Sequence, residues 1–270
     1  VMVLVSSTHG VEGFCGTGAQ LDWMSNGGPP TLPEDTAALI VHAINPYGYS
    51  WQRRGTEGNV DLNRNGLDFT DGPLDNPRFL ELADAFSPSE LNGPVADAAL
   101  AKRERFIEEH GLAEYRRVRT MGQHVDPQGI HYGGEGPTWS RMTIERMVQD
   151  FSLSTKTQVA IIDYHTGLGP FGYGEPICGC RPEEPGRDRA TAWYGDSLTE
   201  PLRGTSTSAV IPGLTQYIWA REIGIERVTF IALEYGTYPS GDVENAMRDE
   251  CWLYRYGDPG GLDDVARGIK

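Results

Sequence analysis

An α/β architecture, with a mixed, largely parallel central sheet and helices on both faces, is predicted by two features of this 270-residue sequence. Four short, continuous apolar runs occupy residues 1–8, 37–45, 158–165 and 227–235. Runs of this length without polar alternation are the pattern of strands covered on both sides. Between them lie stretches with helical spacing, so strands and helices interleave, as a sheet sandwiched by helices requires.

Taken in order, residues 1–8 read as the first buried strand, and the segment after Gly13 as a helix packed beneath it. Residues 37–45 (AALIVHAIN) form the second strand. Helical periodicity then appears around residues 78–85, 95–114, 138–150 and 190–202. QVAIIDYH and RVTFIALEY supply the last two strands. Gly/Pro-rich stretches at 26–33, 66–76 and 166–176 read as loops, and none has the composition of an interdomain linker. No internal repeat is visible, so residues 1–270 are expected to form a single domain. Cys178 and Cys180, one residue apart in an apolar stretch, read as positions on one face of a strand. The chain opens inside an apolar run and ends soon after a helical pattern begins at Leu262, so it is expected to be an internal part of a longer protein.

Composition narrows the functional classes. The formal charge of −15 argues against a nucleic-acid or anionic-membrane partner, which would need clustered Lys and Arg. No apolar run reaches the roughly 18–20 residues of a membrane span, and no secretory signal pattern is present. Four cysteines in a chain this long do not make a disulfide framework, so a cytoplasmic protein is expected. The oligomeric state is left open.

The chemistry gathers at strand ends. His9, Asn45, His165 and Glu234 each fall at or just after the carboxyl end of an apolar run, the edge where open α/β sheets bind ligands. His9 and Glu12 sit three residues apart on a turn that Gly10 helps to tighten. Catalytic zinc commonly takes three His and Glu/Asp ligands and leaves a fourth position open. His165 is the expected third ligand, with His124 and His131 as rivals that otherwise line the pocket or are solvated. His42 and His110 read as structural. A structural zinc site is disfavoured, because three ligands leave an open position and no Cys joins the set. Glu234 is a carboxylate at an apolar strand end, where desolvation raises its proton affinity into a range useful to a general base. The segments 123–140 and 166–174 are expected to wall the pocket.

Five ordered blocks carry a resemblance: HGVEG (9–13), NPYGYSWQRR (45–54), NVDLNRN (59–65), DYHTGLGPFGYGE (163–175) and ALEYGT (232–237). Together they resemble the zinc carboxypeptidase (M14-type) superfamily, including its aspartoacylase/succinylglutamate desuccinylase branch, and within it most closely the DUF2817 group. The resemblance implies a zinc-carboxypeptidase-like domain and one Zn2+ ion held by His9, Glu12 and His165. It further implies Glu234 as general base and Arg54, or less favourably Arg53, as the oxyanion residue. Asn63 and Arg64 would grip a substrate carboxylate. Tyr217 does not match the spacing of the carboxypeptidases' mobile tyrosine and receives no role. The implied activity is hydrolysis of an amide in a peptide or peptide-like substrate with a free carboxylate. The alternatives are an N-acyl-amino-acid deacylase and, from another class, a zinc-binding module without catalysis.

Overall fold

The computed structural model describes residues 1–258 and Gly268, and it is built on one five-stranded sheet. The chain runs β1 (Met2–Val5), α1 (Gly13–Ser25), β2 (Ala38–Val41), α2 (Pro46–Trp51), α3 (Phe79–Phe86), α4 (Pro94–His110), α5 (Leu112–Thr120) and α6 (Trp139–Asp150). It continues with β3 (Val159–Phe171), β4 (Gly174–Ile177), α7 (Pro185–Tyr194), α8 (Thr215–Ile223), β5 (Val228–Gly236) and α9 (Ser240–Tyr256). Strand order is β2-β1-β3-β5-β4; the first four strands are mutually parallel and β4 is antiparallel to β5. The α/β fold with a mixed, largely parallel sheet is therefore as the sequence predicts.

Alternation along the strands decides which helix covers which face. Val3, Val5, Ile161 and Phe230 point to one side and pack with Ile144 and Val148 of α6 and Ile218, Trp219 and Ile223 of α8. Ile162 and Ile231 point to the other, where Ala190 and Tyr194 of α7 meet them. On that side α1 is tied to the sheet by Gln20, whose amide donates to the carbonyls of Leu4 and Val41. Each fully buried Val, Ile or Leu in these layers contributes about 1.5–3 kcal/mol. A separate apolar cluster joins α3, α4 and α5 to Cys251 of α9.

Four local expectations change. The helix expected over 95–114 is two: Gly111, at φ 85°, adopts a conformation that ends α4 and lets α5 leave in a new direction. The stretch 166–176, expected as a loop, is mostly β3 and β4, because β3 runs on to the end of β5 and the chain then crosses to the far side of β5, where β4 pairs with it. Cys178 and Cys180 follow β4 instead of lying within it, and are buried against Ala190 and Ile231. The helix expected over 190–202 starts earlier, at Pro185, and ends at Tyr194, with 3-10 turns beyond it. The pattern from Leu262 lies outside the described residues. Among the described residues no helix is long and apolar enough to cross a membrane.

Gly10 sets the approach of the first strand's end to the α2 segment. A β-carbon there would sit 2.0 Å from the Gly48 carbonyl carbon and 2.4 Å from the Arg53 oxygen, both backbone atoms. Gly10→Ala is therefore expected to cost about 2 kcal/mol or more. Urea denaturation should show a lower midpoint with an unchanged slope.

Candidate metal centre

The loop after β1 turns at once into a 3-10 segment, Gly10–Glu12, with His9 at its N-cap position. Three residues per turn stack side chains i and i+3, which brings Glu12 back over His9: His9 Nδ1 is 2.8 Å from Glu12 Oε1. The third member comes from β3. His165 Nδ1 lies 3.1 Å from Glu12 Oε2, and the two imidazoles meet edge to face at 4.9 Å between centroids. One ligand atom from each of His9, Glu12 and His165 falls within 4.8 Å of the others. The sequence-derived triad is thus brought together. His124 and His131 stay outside it: His124 Nδ1 faces the Gly134 carbonyl and His131 Nδ1 faces Asp61.

Two aspartates that the ligand pattern left unassigned orient the histidines. Asp163 is two residues before His165 on the same strand, hence on the same face, and its Oδ2 is 3.2 Å from His165 Nε2. Thr8 Oγ1 and Thr215 Oγ1 donate to the Asp163 carboxylate and hold it. Asp61 Oδ1 is 3.2 Å from His9 Nε2. Each histidine therefore has Nε2 secured by a carboxylate and Nδ1 turned toward one shared point, the arrangement by which outer partners fix a ligating imidazole. The spacing D-x-H in the DYH block was the available signal for Asp163. Asp61 lay in the NVDLNRN block with no spacing to His9 that could identify it.

Arg54 completes the polar floor. Its Nε donates to Asp61 Oδ2 at 2.9 Å and its Nη1 to Glu12 Oε1 at 3.2 Å. Arg53 turns away and is buried: it pairs with Glu250, donates to Asn59 Oδ1 and stacks on the Tyr254 ring. Of the two arginines, Arg54 is the one at the centre. Asn63 and Arg64 lie on the 3-10 turn Leu62–Arg64 capped by Asp61. Asn63 Oδ1 accepts from the Thr215 N–H and hydroxyl. Arg64 is buried, with Nε bonded to the Thr120 carbonyl and Nη1 to that of Asn63.

Glu234 is the register partner of His165 across the β3–β5 ladder, so both side chains rise on the same face. Neighbouring strands are about 4.8 Å apart. Its Oε1 accepts the Leu168 N–H at 3.1 Å. Burial, reinforced by the Glu12 charge, pushes the Glu234 carboxyl up to about 7. Glu12 goes the other way: burial works against its ionisation, but the His9 charge and bonds to both histidines outweigh it and hold Glu12 below the usual carboxylate range. Burial also works against the His165 cation, and the Asp163 charge and bond more than reverse this, raising it well above an ordinary histidine.

The donor set suits a divalent cation such as zinc: two imidazole Nδ1 atoms and one carboxylate, each braced from behind, with no sulfur. His9, Glu12 and His165 would hold the ion.

The Glu234 shift carries a sign for stability. The folded protein binds this proton more tightly than the unfolded chain. Its contribution is complete below about pH 4.5, declines above that, and is lost as pH rises through about 7. In zinc-free protein, Glu234→Gln should flatten this decline, by up to about 3 kcal/mol. Urea denaturation at several pH values across the window checks it.

A search among curated proteins returned no match. The family model described as "Protein of unknown function (DUF2817)" matches residues 1–266, nearly the whole chain, and the chain accordingly belongs to the DUF2817 family.

Proposed function

We propose that this chain is a zinc-dependent amide hydrolase of metallocarboxypeptidase (M14) type, acting on a peptide or peptide-like substrate with a free carboxylate. One observation carries the reading. Two histidines braced by Asp61 and Asp163 face Glu12, and Glu234, a carboxyl poised near neutrality, stands beside them. A purely structural site would have no use for a proton acceptor of this kind at its rim.

Bound zinc would supply a Lewis acid that lowers the pKa of water toward about 7 and polarises a carbonyl. The remaining work falls to the protein. Glu234 takes the proton of the attacking water and returns it to the leaving amine, a task suited to a group titrating near the working pH. Arg54, fixed through Nε and Nη1, presents a constant positive charge to the oxyanion. Such a donor is worth about 3–4 kcal/mol in other hydrolases. The Asn63 and Arg64 side chains orient the substrate carboxylate. With Arg64 Nε and Nη1 engaged by carbonyls, its Nη2 and the Asn63 amide nitrogen make that contact. All four cysteines are free thiols, which supports a reducing compartment such as the cytoplasm.

Metal analysis of purified protein should find one zinc per chain, lost in His9→Ala. Against a panel of free-acid dipeptides, C-terminally blocked peptides and N-acyl amino acids, hydrolysis should require the free carboxylate. Turnover confined to N-acyl amino acids would move the assignment to a deacylase of aspartoacylase type. Glu234→Gln should keep zinc and lose turnover by about 10²–10⁴-fold; full activity in that variant removes Glu234 from its role. A zinc-loaded protein that cleaves nothing in the panel would leave a metal-binding module.

A further inference from the structure

The segment between Gly122 and Gly134 supplies no member of the metal triad, yet it grips the turn that carries Asp61. The Asp61 N–H donates to the Tyr132 carbonyl at 2.8 Å. Asn59 Nδ2 donates to the carbonyls of Pro127 and Gly129, and Asn65 Nδ2 to that of Gly133. Gln123 N–H bonds to His131 O and Gly133 N–H to Gln123 O, closing the segment on itself.

At its centre His131 is buried, 6% exposed, and its backbone sits at φ 53°, in the left-handed region. That conformation is unfavourable for a residue with a β-carbon. Its Nε2 is buried without a hydrogen-bond partner. An apolar side chain at this position would avoid the unsatisfied nitrogen. Burial holds the imidazole well below its ordinary range, so it is neutral, with one N–H to give. That N–H has one destination: Nδ1 lies 3.0 Å from Asp61 Oδ2.

The Asp61 carboxylate serves two masters. Oδ1 takes His9 Nε2 and the Asn63 N–H, and Oδ2 takes Arg54 Nε. A carboxylate has a broad torsional well about its terminal bond, so these roles stay divided only if its plane is fixed. We infer that His131 is a positioning residue. Its Nδ1–H pins Asp61 so that one oxygen aligns His9 toward the metal point while the other aligns Arg54. The inference rests on the proposed reading of His9 as a metal ligand.

Three variants test it. His131→Leu removes the donor. His131→Gly removes it too, while relieving the left-handed backbone, and so covers the case in which Leu does not fold. His131→Asn offers an amide donor near the Nδ1 position, tolerates positive φ, and has nothing at Nε2. In crystals of zinc-free protein, the Asp61 carboxylate plane should keep one orientation in wild type and Asn, and be rotated or split between orientations in Leu and Gly. Competition with a chromophoric chelator should show zinc affinity at least about 10-fold weaker in Leu and Gly, and within about 3-fold of wild type in Asn. A wild-type Asp61 orientation and zinc affinity in the donor-less variants would overturn the inference, as would an Asn variant that behaves like Leu. Wild-type protein that takes up no zinc would sink the proposed function; the Asp61 orientation in the zinc-free crystals would still decide the role of His131.

Discussion

A carboxylate that is 2% exposed keeps its charge only when donors and cations surround it, and Asp61 gathers them from four parts of the chain. Arg54 follows α2, His9 follows β1, His131 comes from the segment before α6, and the Asn63 N–H comes from its own turn. Burial alone would drive Asp61 to protonate. The charges of Arg54, Arg64 and His9 reverse that and hold it well below the usual carboxylate range. The centre is therefore organised by charge compensation around a buried anion. The apolar layers set the sheet, and the anion sets the directions of the groups above it.

The second buried aspartate, Asp163, solves the same problem with hydroxyls and an imidazole in place of guanidinium groups. Thr8 and Thr215 hydroxyls satisfy it from two different elements, and His165 closes the set. The two solutions differ in consequence. Around Asp61, His9 and Arg54 are linked through one carboxylate, so disturbing either reaches the other. Around Asp163 one histidine is bound directly, and Asn63 is reached only through the Thr215 hydroxyl.

The legibility of these features in the sequence follows from the range of the interactions. The four parallel strands were visible because burial on both faces demands continuous apolar runs, and the triad was visible because its constraints are local: a turn that carries His9 and Glu12, and a strand end that carries His165. Helix α9 was not read from the sequence, although Val243, Met247, Cys251 and Tyr254 recur at helical spacing: only Cys251 and Leu253 are fully buried, and polar residues fill most of the positions between. The break at Gly111 was hidden inside good helical spacing on both sides. The choice between Arg53 and Arg54 needed tertiary partners, Glu250 and Tyr254 on one side and Asp61 on the other. So did the role of His131, whose partner is 70 residues away.

The antiparallel strand β4 has an effect that reaches beyond the candidate metal centre. A sheet that stopped at β5 would present a nine-residue parallel strand with a row of unpaired amides, a template on which another chain could add. β4 covers residues 232–235 of that row with a four-residue strand containing Pro176, which has no N–H to offer. Beyond it, the Thr199 N–H bonds to the Pro176 carbonyl and the Cys178 N–H bonds to Thr199. The opposite margin, β2, is also only four residues long. The turn that brings Glu175 opposite Glu234 therefore also guards the molecule against edge-to-edge self-association.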